Sequence, residues 1–341
     1  VTVAELYFPF PVHADIGHDE YDREAAEWLS LHCELAPDRL EAVSGSRVAA
    51  MFAFSAASAL SERIEVLTRW SLVNFLIDDV IEAAPIEQAT VIASVCRRIW
   101  DNPASSVPDM PIVAALRQNT STLLTMATPV QRQRLRAAHQ EYFSSLVAQH
   151  LVDAAPQPPS VEVHTFIREM TSGMPGFSAV AEFVTGMDIP EDEYHSPQVR
   201  AFAQAVHLAV GWVNDVCAYT KDIREGHQNN VVAVLAARSG SDTRKAFDDA
   251  VAIINKAYYV VDELSHVLLR EGSPGLCGYV RLLLRKQGAF VPWHLNSPRY
   301  ADTTVGESLT ITTTAPPDVH VPPDISSIAW WWDHLPVRDA A

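Results

Sequence analysis

Two stretches of this chain, 61–82 and 197–224, are apolar around most of a helix circumference, and that constrains the fold more than any other feature. A helix of this kind holds in water only when neighbours cover it on most sides, so both belong at the centre of a bundle. Each nonetheless sets acidic and amide side chains into its apolar run. The first contains Phe75-Leu-Ile-Asp78-Asp79-Val-Ile-Glu82 and the second Asn214-Asp215-Val-Cys-Ala218-Tyr-Thr-Lys221-Asp222. Ionised groups in such surroundings are expensive unless a cation meets them.

The rest of the chain reads the same way. A helical pattern starts at Tyr21, and further helices are expected at 47–57, 87–101, 111–126, 129–152, 159–172, 176–186, 228–238, 243–271 and 274–289. Breakers such as Pro85, Asn102-Pro103, Pro156 to Pro159 and Gly186 to Pro190 separate them, while Pro129 opens its helix from the first turn. No stretch shows several alternating strands bounded by turn signals. The fold class is therefore all-α, a single-domain bundle of about ten to twelve helices. Tyr7-Phe8-Pro9-Phe10-Pro11 cannot be helical and is expected to lie across the body of the protein. The bundle domain spans 1–300. Residues 301–341 form a Thr- and Pro-rich tail ending in Trp330-Trp331-Trp332, which either clips onto its own surface or a neighbouring subunit or serves as a lid or partner site.

A formal charge of −17 opposes binding to nucleic acid or anionic membranes, both of which need a basic footprint. No apolar run is long enough to span a bilayer, and the first residues lack a basic segment followed by an apolar one, so a cytoplasmic protein is expected. Cys33, Cys96, Cys217 and Cys277 are scattered without metal-ligand spacing and read as buried apolar residues. The apolar helices and tryptophan tail leave room for a homodimer.

Helix geometry gives the acidic runs a chemistry. Asp78 and Glu82 are four residues apart and share a face, with Asp79 rotated away by about 100°. Two carboxylates stacked in this way suit a hard divalent cation such as magnesium, which keeps several waters and binds phosphate oxygens. The alternatives are a solvated face or the acidic first turn of a following helix. Asn214, Ala218 and Asp222 form a second stripe with the same spacing, and Asn214 and Asp222 could each give an oxygen to one cation.

These residues resemble the metal motifs of bacterial class I terpene synthases, D-D-x-x-D/E and N-D-x-x-S/T-x-x-x-E. Arg168, in Phe166-Ile-Arg168-Glu-Met-Thr171-Ser172-Gly173, stands forty-six residues before Asn214, where that family has an arginine that senses diphosphate. Trp293-His-Leu-Asn-Ser-Pro-Arg299-Tyr300 resembles the family's closing Arg-Tyr pair after a tryptophan. The four landmarks occur in the family's order over residues 7–300.

The resemblance implies a helical bundle around a central apolar cavity and the magnesium-dependent cyclisation of a linear isoprenyl diphosphate, most simply farnesyl diphosphate, with geranylgeranyl diphosphate the longer option. It implies three Mg2+ ions held with the diphosphate, two by Asp78 and one by Asn214 with Asp222. Arg168, Lys221, Arg299 and Tyr300 would grip the diphosphate, Asp79 would hold Arg299, and Ser172 would act through its carbonyl at an induced-fit break beside Gly173. Phe75, Phe177, Trp212 and Trp293 are candidates for the substrate pocket, where aromatic faces stabilise migrating positive charge.

The pattern departs from the family at Ala218, which replaces the middle hydroxyl ligand, and at Asp222, which stands for glutamate. Water is expected to fill the place of the hydroxyl, with the third ion bound more weakly as a result. Two other readings stay open: a chain-elongating prenyltransferase, against which the Asn214-led second motif argues, and a non-catalytic isoprenoid-binding relative.

Overall fold

Helix formation follows the apolar periodicity and the caps that bound it. A computed structural model describes residues 4–13, 17, 19–33, 37–56, 60–296 and 309–336. In chain order it contains strand β1 (Ala4–Tyr7), helices α1 (Asp19–Ser30), α2 (Pro37–Ser44), α3 (Val48–Ser55), α4 (Ser61–Ala83), α5 (Ile86–Asp101), α6 (Pro111–Met126), α7 (Pro129–Asp153), α8 (Val161–Thr171), α9 (Met174–Thr185), α10 (Glu191–Tyr194), α11 (Pro197–Glu225), α12 (Val231–Ser239), α13 (Thr243–Glu271) and α14 (Pro274–Asn296), then strand β2 (Leu309–Thr312) and α15 (Ser326–Ala329). Ser160, Ser196, Asn230 and Asp242 cap α8, α11, α12 and α13 by accepting first-turn N–H groups. The fold is mostly helical. Among the described residues, no helix is long and apolar enough to cross a membrane.

Contacts divide the chain into two units. One comprises Val1–Val12, Val152–Ser172 and Asp188–Ala341. Its core is α11 against α13 and α14, with Phe202, Trp212, Phe247 and Tyr258 fully buried. The Tyr258 hydroxyl donates to Gln287 Oε1 at 3.1 Å, and Gln287 Nε2 donates to the Val206 carbonyl at 3.0 Å, so these two buried polar side chains link α13, α14 and α11. β1 and β2 pair in parallel, Ala4 opposite Leu309 through Tyr7 opposite Thr312. Asn255 of α13 secures β1 by accepting from Tyr7 N–H and donating to the Glu5 carbonyl. Phe8 and Phe10 then pack edge-on to Tyr258, which places the expected aromatic and proline segment along α13.

The tail belongs to this unit. Trp331 is fully buried and donates its indole N–H to Gln204 Oε1 of α11 at 3.2 Å, and Trp332 donates to the Val319 carbonyl at 3.3 Å. Glu162, in the first turn of α8, accepts from Ser326 N, Ser326 Oγ and Ser327 N at 2.6, 2.8 and 3.2 Å. These bonds hold Ile328 and the tryptophans on the chain's own surface.

The second unit comprises His13–Leu151 and Gly173–Met187, with α4 packed against α1, α3, α5, α6 and α9. A buried polar line runs through it. His139 Nδ1 donates to the Leu135 carbonyl at 2.7 Å, its Nε2 accepts from Trp70 Nε1 at 2.7 Å, and its ring stacks on Trp100 at 3.5 Å. Burial pushes this imidazole down to about 3, which keeps it neutral and its two ring nitrogens distinct. Arg134 and Glu182 form a buried ion pair at 2.5 Å.

Several helix ends differ from expectation, α12 beginning at Val231 rather than 228 among them, and α2 and α10 fall outside the expected helices; two of the ends are instructive. α14 continues through Pro292 to Asn296 rather than stopping at 289, although Pro292 cannot donate to the carbonyl one turn back. α9 begins at Met174 because Gly173, at φ 70°, breaks the chain from α8 and Pro175 fits the first turn.

Candidate active site

On α4, Asp78 and Glu82 lie one turn apart and both stay half-buried. Tyr142 of α7 donates its hydroxyl to Asp78 Oδ1 at 3.2 Å. Burial, reinforced by the Asp78 charge, pushes the Tyr142 phenol well above its ordinary value, so it remains a donor at neutral pH. Asp79 points elsewhere and pairs with Arg39 at 2.9 Å. Arg299, the partner expected for Asp79, lies outside the described residues, as does Tyr300. Phe75, on the same helix, is half-buried, whereas Phe177 is fully buried against Phe52 and exposes no surface to a cavity.

In the other unit the chemistry gathers on α11. Arg168 reaches across from α8. Its Nε pairs with Asp215 Oδ1 at 2.8 Å, and its Nη2 donates to the Gly211 carbonyl at 3.1 Å and to Asn214 Oδ1. This approach requires Gly211, since a Cβ there would lie 2.9 Å from Arg168 Cγ. Asp215 is buried and also accepts from Val231 N–H at 3.0 Å, with His164 Nε2 at 3.3 Å. Asp215 is thus a hub that fixes Arg168 and the start of α12.

Asn230 ties the motif together from below. Its Oδ1 caps α12 through Val232 N–H, while its Nδ2 donates to the Asp215 carbonyl at 2.8 Å and to Asp222 Oδ2 at 2.9 Å. Burial raises Asp222 to about 7, with the Asn230 bond and the Lys221 and Arg168 charges opposing the shift. A cation beside this carboxylate would favour its ionised form. Lys221 is ion-paired with Glu225 along the helix at 2.7 Å. Asn214 Nδ2 is 3.0 Å from His294 Nε2 of α14. Trp293 is half-buried beside Phe290, and Trp212 is fully buried, packed as core.

Ser172 ends α8 in helical conformation, its N–H bonded to the Arg168 carbonyl and its hydroxyl to the Glu169 carbonyl at 2.8 Å. The break at Gly173 follows directly, so the residue carrying the guanidinium and the break share one helix end.

The donors present fit a hard cation. Asp78, Glu82, Asn214 and Asp222 offer only oxygen, and Ala218 is buried without a ligand atom. Burial pushes the Cys217 thiol up to about 12, and sulfur is in any case too soft a donor to favour magnesium. Among the described residues, no three His, Cys, Asp or Glu side chains gather into a preformed metal centre. Sequence reasoning identified the motif residues and Arg168 but not Tyr142, Gly211, Asn230 or His294. Only Asn230 had a sequence signal, in the Asn229-Asn230-Val231 run that follows the second motif.

Residues 69–258 match the family model "Terpene synthase family 2, C-terminal metal binding", and the chain belongs to this family. It is a class I terpene synthase, an enzyme of prenyl diphosphate cyclisation. It is 24% identical to a germacradien-6-ol synthase of Streptomyces pratensis over 98% of this chain and 97% of that protein. It is 25% identical to a (2E,6E)-farnesyl diphosphate cyclizing 4-epi-cubebol synthase of Streptosporangium roseum, over 86% and 91% of the two chains. Its fold is similar to that of 2-methylisoborneol synthase from Streptomyces coelicolor, solved with Mg2+ and 2-fluoroneryl diphosphate, at a TM-score of 0.77 and 18% identity, covering 88% of this chain and 98% of that one.

Proposed function

We propose that the protein is a magnesium-dependent cyclase of farnesyl diphosphate that releases inorganic diphosphate. The observation that carries the reading is the bonding of Arg168 to both Asp215 and Asn214 Oδ1, which couples a diphosphate-seeking guanidinium to a metal ligand. Arginine's planar fork suits diphosphate because it can make two charge-assisted hydrogen bonds at once.

Asp78 and Glu82 in one motif and Asn214 and Asp222 in the other would hold Mg2+. Bound there, Mg2+ would neutralise the diphosphate and favour cleavage of its bond to the allylic carbon. The chain's own residues do the rest. Tyr142 orients the Asp78 carboxylate, and Asn230 orients that of Asp222. Asn214 Oδ1, which accepts from Arg168 Nη2, has a second lone pair with which it would hold a cation beside the guanidinium. Ser172, beside the Gly173 break at the end of the same helix, would act through its backbone carbonyl. Lys221 would add positive charge toward the leaving group, a role also expected of Arg299 and, as a hydroxyl donor, of Tyr300, both of which lie outside the described residues. Phe75 and Trp293, which keep accessible surface, offer ring faces to the cation.

Farnesyl diphosphate is favoured because the Streptosporangium relative carries that substrate in its name. Incubation with geranyl, farnesyl and geranylgeranyl diphosphates plus Mg2+, followed by gas chromatography with mass detection, tests the choice. A cyclic fifteen-carbon product from farnesyl diphosphate, at the highest kcat/KM of the three, is expected. A preference for geranylgeranyl diphosphate, or formation of longer linear diphosphates, would overturn it.

A further inference from the structure

We propose that His294 is a positioning residue that fixes which end of the Asn214 amide is offered to a divalent cation, an inference that rests on Asn214 being a metal ligand. An asparagine amide is nearly symmetric in shape, yet only its oxygen can ligate a metal. Its orientation must therefore be set by its neighbours, and two of them, Arg168 and His294, have a fixed polarity here. Arg168 Nη2, which can only donate, is bonded to one end of the amide, and that end must be Oδ1.

His294 fixes the other end. Its Nδ1 is 3.1 Å from the Phe290 carbonyl one turn earlier in α14. A carbonyl only accepts, so Nδ1 carries the ring proton and Nε2 is left as an acceptor. Nε2 then receives the Asn214 Nδ2–H at 3.0 Å. The imidazole has little freedom to escape this role. It is 2% exposed and is packed against the Phe290 ring at 3.8 Å and the Trp293 ring at 4.6 Å.

A flipped amide would set N–H against the guanidinium and oxygen against the Nε2 lone pair, replacing two hydrogen bonds with two repulsions. The lock matters more in this chain than in one with a complete motif. Ala218 supplies no ligand, so Asn214 and Asp222 are the only protein oxygens the motif brings to its cation, and a misdirected amide removes one of the two.

Mg2+-dependent binding of inorganic diphosphate, followed by calorimetry, tests the role without requiring turnover. His294→Leu removes the acceptor and should raise the Mg2+ concentration for half-maximal diphosphate binding by about tenfold, as loss of an outer partner of a metal ligand commonly does. Turnover at limiting Mg2+ should fall in step and recover largely at saturating Mg2+. His294→Gln can offer a carbonyl to the same N–H and should restore most of the affinity. Asn214→Ala sets the reference. If it leaves the Mg2+ requirement unchanged, the reading of Asn214 fails. If it raises the requirement while His294→Leu does not, the positioning role fails and that reading stands. Should the leucine variant not fold, nitrogen NMR of the wild-type imidazole decides the matter: a protonated Nδ1 and bare, hydrogen-bonded Nε2 are expected, and the opposite tautomer overturns the proposal.

Discussion

Arg168 shows how closely single residues set this site. Its guanidinium crosses α11 at Gly211, where the chain has no side chain to obstruct it, and finds Asp215 and Asn214 beyond. A methyl group at 211 would meet the arginine's own stem at 2.9 Å, and the clash falls near the middle of the side chain, where it cannot be relieved by moving only the tip. Gly211→Ala is therefore expected to shift the guanidinium and lower kcat/KM by roughly ten- to a hundredfold, the scale of a misplacement of about 1 Å. Its melting temperature should fall only slightly, and unchanged kinetics would contradict the placement of Arg168. Asp78 and Glu82, and Asn214 and Asp222, could be singled out from the sequence because residues four apart share one face of a helix. Gly211 and His294 were invisible, since each matters through a partner on another helix, and periodicity carries no information about which helices meet.

At the scale of elements, the tail is the clearest departure from what composition suggests. Threonine and proline content marks 301–341 as low in complexity, yet 309–336 forms a strand on β1 and a tryptophan clip on α8 and α11. The anchor is Glu162. Burial alone would raise its carboxyl, but the bonds from Ser326 and Ser327 outweigh that and hold it below the ordinary glutamate value of 4.5. A depressed folded-state value means that the docking energy is fully present above 4.5 and is lost as pH falls through the lower, folded value. Tryptophan emission should accordingly shift to the red as the pH is lowered below about 4.5, and Glu162→Gln, which has no charge to lose, should lack that step. Identical titrations for the two proteins would rule out Glu162 as the anchor. Helix positions were legible because apolar periodicity is strong in long helices. The break at Gly173 was legible as well, whereas the end of α14 was not, because packing carries that helix onward through Pro292.

For the whole molecule, an excess of acid in a mostly helical fold and oxygen donors set into two apolar helices would have one common explanation in bound cations. The net charge of −17 cannot attract an anionic substrate unaided, and cations at Asp78, Glu82, Asn214 and Asp222, as proposed, would reverse the sign of the local field. The class of chemistry was legible because four landmarks in fixed order are far more specific than any one of them. Substrate length was not, because it depends on how side chains from many helices meet around the hydrocarbon. The account stands or falls on Asp78. Purified protein given farnesyl diphosphate with and without Mg2+, beside Asp78→Asn, with products read by gas chromatography and mass detection, tests it most directly. A cyclic terpene that requires Mg2+, and a loss of at least about a hundredfold in Asp78→Asn with helicity unchanged, is the predicted result. Turnover in chelator, or near-normal product formation by the variant, would contradict it.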